Sequence, residues 1–248
     1  MQTGVSDPKH IKLLEIIESN GGLGAGKAQA ELRSAGIIVS EPTAGRALRD
    51  MEALGLLEKN GSSGRKLTSL GAKLLREHRA ELEKINLTND FAKSIKATEK
   101  AELLDILVAR RAIEIELAKL AAPNITGEEL DALRDTVSES KRLFERRESV
   151  SPQDTKFHLI IAAASRNKTL AAALGLIWHE GEYAKKLEAI RYSSKKAISE
   201  DHEEIVAALA EGDSKKAGER MGAHIDSVLI SVKALPDDLV ESGITAQL

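Results

Sequence analysis

The residues with the plainest chemistry lie in SPQDTKFHLIIAAASRN, residues 151–167. Asp154 and His158 stand four positions apart in a stretch patterned as a helix, so their side chains share one face, one turn apart. Two further histidines occupy helical sites, His202 in SEDHEEIVAAL and His224 in RMGAHIDSVLI. Glu211-Gly212-Asp213 between them predicts a turn and an antiparallel helix pair. His202 lies ten residues before Gly212 and His224 twelve after it, and that mismatch amounts to only ~3 Å of helical rise. One carboxylate and three imidazoles can therefore converge from three helices, a ligand set for Zn²⁺ or another divalent transition metal. Any one of these residues alone would read as a surface or satisfied core residue. The case rests on the set and its compatible heights.

The rest of the chain must position that set. Its 248 residues allow two modest domains or one large one, and with aromatics at 2% the core must be built from Leu, Ile, Val and Ala. That composition favours closely packed helices. The absence of cysteine rules out disulfides and a thiolate metal site, and fits a cytoplasmic location. MQTGVSDPKH lacks the basic-then-apolar pattern of a signal, and no apolar run approaches the ~20 residues of a membrane span. The net charge of −3 divides unevenly: residues 1–95 carry +2 and residues 96–248 carry −5. A mildly basic head on an acidic body is compatible with nucleic-acid binding.

In chain order, Ile11, Leu14, Ile16 and Ile17 give residues 8–19 one apolar face. A second helix covers about 27–35, and Ser40 is placed to cap a third, from Glu41 to Leu54, with Pro42 in its first turn. Residues 56–59 and 66–68 read as two strands around the loop Asn60–Gly64, and residues 70–85 as a helix. Helix, helix, turn, helix, hairpin is the order of a winged helix-turn-helix. The third helix would then read duplex DNA. The candidate contacts are Ser40, Thr43, Arg46 and Arg49 there, with Arg65 and Lys66 at the hairpin. Winged helices also serve in protein contacts, and solvated arginines are the plainer reading of the same residues. After a linker at 86–97, which can be part helix, the pattern is helical throughout, at about 99–121, 127–147, 153–165, 168–191, 195–210 and 214–232, before a frayed tail. The expected fold is mainly α: a winged-helix domain at 1–85 with a small β-hairpin wing, an all-α bundle of six to seven helices at 98–234, and a tail at 235–248.

VSEPTAGRALRDMEALGLLEKNG resembles the recognition helix and wing of bacterial and archaeal winged-helix repressors. Its likeness to the GntR pattern V-S-R-x-x-V-R-E-A-L is loose, because Glu41 and Gly45 stand where that pattern has arginines. Residues 98–234 resemble the FCD effector domain of FadR-type regulators in the GntR superfamily. LLDILVARRAIEIELAKLAA is similar to that domain's opening helix with its R-x-x-x-E pair, here Arg110 and Glu114. DTKFHLIIAAASRNKTL is similar to its D-x-x-x-H helix, and DHEEIVAALAEGDSKKAGERMGAHI to its closing hairpin. All four family metal positions are filled, by Asp154, His158, His202 and His224. His10, His78 and His179 match no family position and read as surface residues.

The resemblance implies a homodimeric, ligand-responsive transcriptional regulator, expected to be a repressor and not an enzyme. A zinc or nickel ion would hold a small carboxylate effector within the bundle. Arg110 is the candidate guanidinium for that carboxylate, its alternative being a plain i, i+4 salt bridge with Glu114. Asn167 is a candidate for lining the pocket, or else a helix cap. Two other readings stay open. One is a metal-dependent hydrolase, with Glu180, Glu182 and Glu203 near in sequence but nothing to aim them at the site. The other is a purely structural metal that ties three helices together.

Overall fold

The computed structural model describes residues 7–96, 99–179, 186–190 and 198–236. The chain divides into two compact units, Met1–Asn89 and Asp90–Leu248. The first holds α1 (Pro8–Asn20), α2 (Ala25–Ser34), α3 (Glu41–Ala53), strands β1 (Leu57–Lys59) and β2 (Arg65–Leu67) around a 3₁₀ turn at Gly61–Ser63, and the start of α4 (Ser69–Ser94). The second holds α5 (Lys100–Ala121), α6 (Gly127–Glu145), α7 (Ser151–Ala164), α8 (Lys168–His179), a helical piece at 186–190, α9 (Ile198–Ala210) and α10 (Ser214–Ala234).

In the first unit α1 starts where the Asp7 side chain accepts from Lys9 N, and ends at Gly21 in the left-handed conformation. Its apolar face, Ile11, Leu13, Leu14, Ile16 and Ile17, is buried against Leu48 and Met51 of α3, Leu57 of β1 and Leu75 of α4. Each such side chain stabilises the unit by about 1.5–3 kcal/mol relative to remaining in water. β1 and β2 pair antiparallel, with Leu57 opposite Leu67 and Lys59 opposite Arg65. Leu23 and Arg65 exchange two backbone hydrogen bonds of 2.9 Å, which adds a third short segment beside the hairpin. Gly64 makes this possible: its φ is +91°, and a Cβ there would lie 2.2 Å from the Leu23 carbonyl.

Residues 86–94, expected in the linker, belong to α4. Their polar composition suggested a connection, but no Gly or Pro occurs between Gly71 and Ser94 to stop a helix. α7 likewise starts at Ser151, two residues before the expected 153, because Pro152 sits in its first turn instead of breaking it. The second half of the expected 168–191 helix and most of the tail lie outside the described residues.

In the second unit α5 and α10 pack antiparallel. Lys119 faces Gly218, Ile115 faces Gly222 and Arg111 faces Asp226. A Cβ on Gly218 would stand 2.7 Å from Lys119 Cγ, so that glycine leaves the room in which the Lys119 stem lies across α10. This register sets Glu114 of α5 level with His224 of α10. α9 and α10 are joined by a turn with Gly212 at φ +70° and Asp213 accepting from Lys216 N at 2.9 Å. Leu103, Leu107, Leu133, Phe157, Ile205 and Ile225 fill the core between the helices.

Candidate metal centre

Asp154 and His158 lie one turn apart on α7, His202 on α9 and His224 on α10. All four are buried, and one ligand atom from each lies within 4.8 Å of the others. Asp154 Oδ1 is 3.6 Å from His158 Nε2 and 3.4 Å from His202 Nε2. Donors held ~2.1 Å from one ion stand about 3–4 Å apart, so this spacing suits a coordination shell after small side-chain adjustments. The donor set fits as well: three imidazoles and one carboxylate suit zinc or nickel, and leave a divalent ion with net positive charge.

The surroundings fix the rings. The His202 ring stacks on Phe157, centroids 3.9 Å apart and planes 3° from parallel. His158 lies 5.1 Å from the ring of Trp178, the chain's only tryptophan. Behind the histidines stand two carboxylates: Glu114 Oε2 meets His158 Nδ1, and Asp201 Oδ2 lies 3.5 Å from His224 Nδ1.

Arg110 is 0% exposed. Its Nε donates to Glu114 Oε1 at 2.5 Å, its Cζ lies 4.2 Å from the centroid of the Trp178 ring, and its Nη2 is 3.4 Å from His158 Nε2. The salt bridge with Glu114 and the approach to the centre thus coexist in one side chain, because Nε serves the first and Nη2 the second. Burial works against the charge of Glu114, but Arg110 and His158 outweigh it and hold the carboxyl down at about 2. Burial likewise works against protonation of His158, and Glu114 and Asp154 overcome it, raising its pKa.

Other candidates fall elsewhere. Asn167 follows the end of α7, and its Oδ1 accepts from Leu170 N as a cap for α8. Arg166 pairs with Glu129 of α6 through both terminal nitrogens. Glu203 is exposed and pairs with Lys141. Glu180 and Glu182 lie outside the described residues. His179 is exposed, whereas His10 and His78, expected at the surface, are half-buried. Sequence reasoning missed three roles: the contact of Glu114 with His158, the position of Asp201, and the stacking by Phe157 and Trp178. The Arg110–Glu114 spacing was visible, but nothing in it signals contact with a residue 44 positions further on.

In the first unit, Ser40 accepts from Thr43 N at 3.3 Å and caps α3, while Thr43, Arg46 and Arg49 are exposed. Arg65, a candidate contact at the hairpin, already has a partner within the protein. It is half-buried, and its Nε donates to Glu52 Oε2 of α3 at 2.7 Å. Lys66 pairs with Glu58 across the strands at 3.2 Å. The turn itself, Gly61–Ser63, carries no charge. The reason is geometric: residue 65 starts β2, so its side chain is drawn back toward α3 by the strand register.

The FCD domain family matches residues 105–227. Residues 105–227 thus belong to the FCD domain family. All four donors, with Arg110 and Glu114, lie inside the FCD match. The head is matched separately: residues 11–75 fit the Ribonuclease R winged-helix domain, in keeping with the departures at Glu41 and Gly45. The HTH-type transcriptional regulator LutR of Bacillus subtilis (strain 168) is 28% identical over 134 residues, 52% of this chain and 61% of that protein. The Exu regulon transcriptional regulator of Escherichia coli (strain K12) is 29% identical over 130 residues, 51% of this chain and 50% of that protein. The match thus spans about half to three fifths of the length of these relatives. Among solved structures, Streptococcus agalactiae GntR covers 88% of this chain and 96% of its own, at 21% identity and a TM-score of 0.44. No helix among the described residues is long and apolar enough to cross a membrane.

Proposed function

We propose that this FCD protein is a cytoplasmic, homodimeric transcriptional repressor whose DNA affinity is set by a small organic acid bound at a divalent metal, zinc or nickel, in the helical unit. The observation that carries the reading is the juxtaposition of a buried Asp/His₃ set with the guanidinium of Arg110. A divalent ion there would supply a Lewis-acid centre for a carboxylate oxygen. The chain's own residues do the remainder. Asp154, His158, His202 and His224 would hold the ion, leaving it positive overall and so attractive to an anion. Arg110 Nη2, fixed by Glu114 and Trp178, would donate to the second carboxylate oxygen in a charge-assisted bond. The relatives' names as transcriptional regulators support the regulatory role, and the exposed Thr43, Arg46 and Arg49 on α3 suit duplex DNA. A two-fold dimer would read two half-sites, and effector binding would alter DNA affinity through linkage.

The hydrolase reading lacks an aimed base among the described residues. Glu203 turns outward to Lys141, and Glu114 is committed to Arg110 and His158. A purely structural metal would not require a buried guanidinium beside it. The test is DNA binding by the metal-loaded dimer, titrated with a panel of small mono- and dicarboxylates. Affinity for DNA flanking the protein's own gene should change with at least one acid and not after chelation. Loss of thermal stability on chelation, with no dependence on any acid, would favour the structural reading instead.

A further inference from the structure

Glu114 touches both halves of the centre without being a ligand. Its Oε1 accepts from Arg110 Nε at 2.5 Å, and its Oε2 meets His158 Nδ1; the carboxylate is 2% exposed in its side chain. A neutral imidazole carries its proton on one nitrogen only, and the partner of that nitrogen decides which. A carboxylate can only accept; Glu114 Oε2 is in contact with Nδ1, whereas Asp154 Oδ1 lies 3.6 Å from Nε2 and the donor Arg110 Nη2 faces Nε2 at 3.4 Å, so this arrangement favours the proton on Nδ1. That leaves the Nε2 lone pair facing Asp154 Oδ1, the side from which an ion would be bound.

We infer that Glu114 is a positioning residue: it locks His158 in the tautomer that can bind a metal through Nε2, and with the same carboxylate it aims Arg110 into the site. The inference rests on the metal reading above. The fork explains why the R-x-x-x-E spacing lies opposite the D-x-x-x-H helix. One acidic group on α5 sets the orientation of a ligand on α7 and of the anion-binding guanidinium on its own helix.

Glu114→Gln is a discriminating variant. Arg110 Nε is a donor, so the glutamine must turn its carbonyl oxygen toward Arg110. Its amide nitrogen then donates to His158 Nδ1, which selects the opposite tautomer and puts a hydrogen on Nε2. Nothing is removed from the ligand set, yet the His158 lone pair faces away from the centre.

The experiment uses the full-length protein with Co²⁺ as probe, followed by visible absorption against a competing chelator. In parallel, ¹⁵N-histidine correlation spectra of the metal-free protein, taken above the pH where His158 loses its second proton, report the tautomer. Wild type should show His158 protonated on Nδ1. Glu114→Gln should show it protonated on Nε2, with Co²⁺ affinity lowered about 10–100-fold and helical content retained. Wild-type affinity in the variant would overturn the proposal. So would weakened affinity with the Nδ1–H tautomer kept, the outcome of a merely structural role. If wild type takes up no Co²⁺ the metal reading fails, while its tautomer still tests Glu114 independently. If the variant does not fold, an Nε2–H tautomer in wild type alone refutes the positioning role.

Discussion

The rings of His202 and His224, one on each of the two helices joined by the Gly212 turn, lie with centroids 4.7 Å apart and planes tilted by 53°. Their near-equal distances from Gly212 put them at one height, and α7 brings Asp154 and His158 to the same level. If these residues hold a metal, His158→Ala and His202→Ala should each weaken binding by more than the ~10–100-fold that an outer hydrogen-bond partner costs. His179→Ala, at an exposed site, should leave it unchanged. Elemental analysis of each purified variant and a chelator competition would measure this. Metal loss in His179→Ala equal to the other two would refute the ligand assignment.

The convergence was legible in the sequence because it follows from helical period and from equidistance about one turn. Asp154/His158 is an i, i+4 pair, and His202/His224 reflect through Gly212. Glu114 and Asp201 as supporting carboxylates were not legible, because contacts between separate helices have no fixed spacing along the chain. The winged helix was readable from its order of elements and from Ser40 as a cap. The tie of Arg65 to Glu52 was not, since it depends on strand register and on the backbone pairing of Arg65 with Leu23. The extension of α4 through residues 86–94 was open in the sequence, because a polar run without Gly or Pro neither drives nor stops a helix.

Arg111 clamps α5 to α10 by two bonds to Asp226, Nε to Oδ1 at 2.7 Å and Nη2 to Oδ2 at 3.0 Å. Those hydrogen bonds hold the Asp226 carboxyl below its ordinary 3.8. A folded value below the unfolded one means stability that is present above 3.8 and lost as pH falls through the folded value. Asp226→Asn should therefore lower the melting temperature slightly at neutral pH, by no more than a few degrees for a pair this exposed. The difference from wild type should shrink as the pH is taken below 3.8. A difference that is constant with pH would show that the clamp does not act through charge.

Gly64 offers a test confined to the head. With φ at +91° and its Cβ direction running into the Leu23 carbonyl, Gly64→Ala should break the Leu23–Arg65 pairing and cost about 1–3 kcal/mol or more. Thermal unfolding followed by circular dichroism should show the loss. Co²⁺ affinity should stay at the wild-type value, because every donor lies in the second unit. A parallel fall in metal affinity would contradict that independence.

The DNA reading separates side chains by what they can reach. Arg46 and Arg49 are exposed three positions apart on α3 and free to meet base edges, so replacing either with Ala should cost about 1–3 kcal/mol of specific affinity. Arg65 should behave differently. Its guanidinium is held by Glu52, so Arg65→Ala removes a link between β2 and α3 as well as a charge. Glu52→Gln separates the two effects, because it neutralises the partner and leaves Arg65 cationic. If Arg65 meets phosphate in the complex, Glu52→Gln should strengthen binding to all sequences alike and steepen its fall with salt, since each phosphate contact releases counterions. If Arg65 only braces the wing, Glu52→Gln should weaken binding as Arg65→Ala does, with no change in salt slope. Fluorescence anisotropy on fragments flanking the protein's own gene, at several salt concentrations, distinguishes these outcomes. Salt-insensitive behaviour of wild type, with and without carboxylates, would remove the DNA-binding reading altogether.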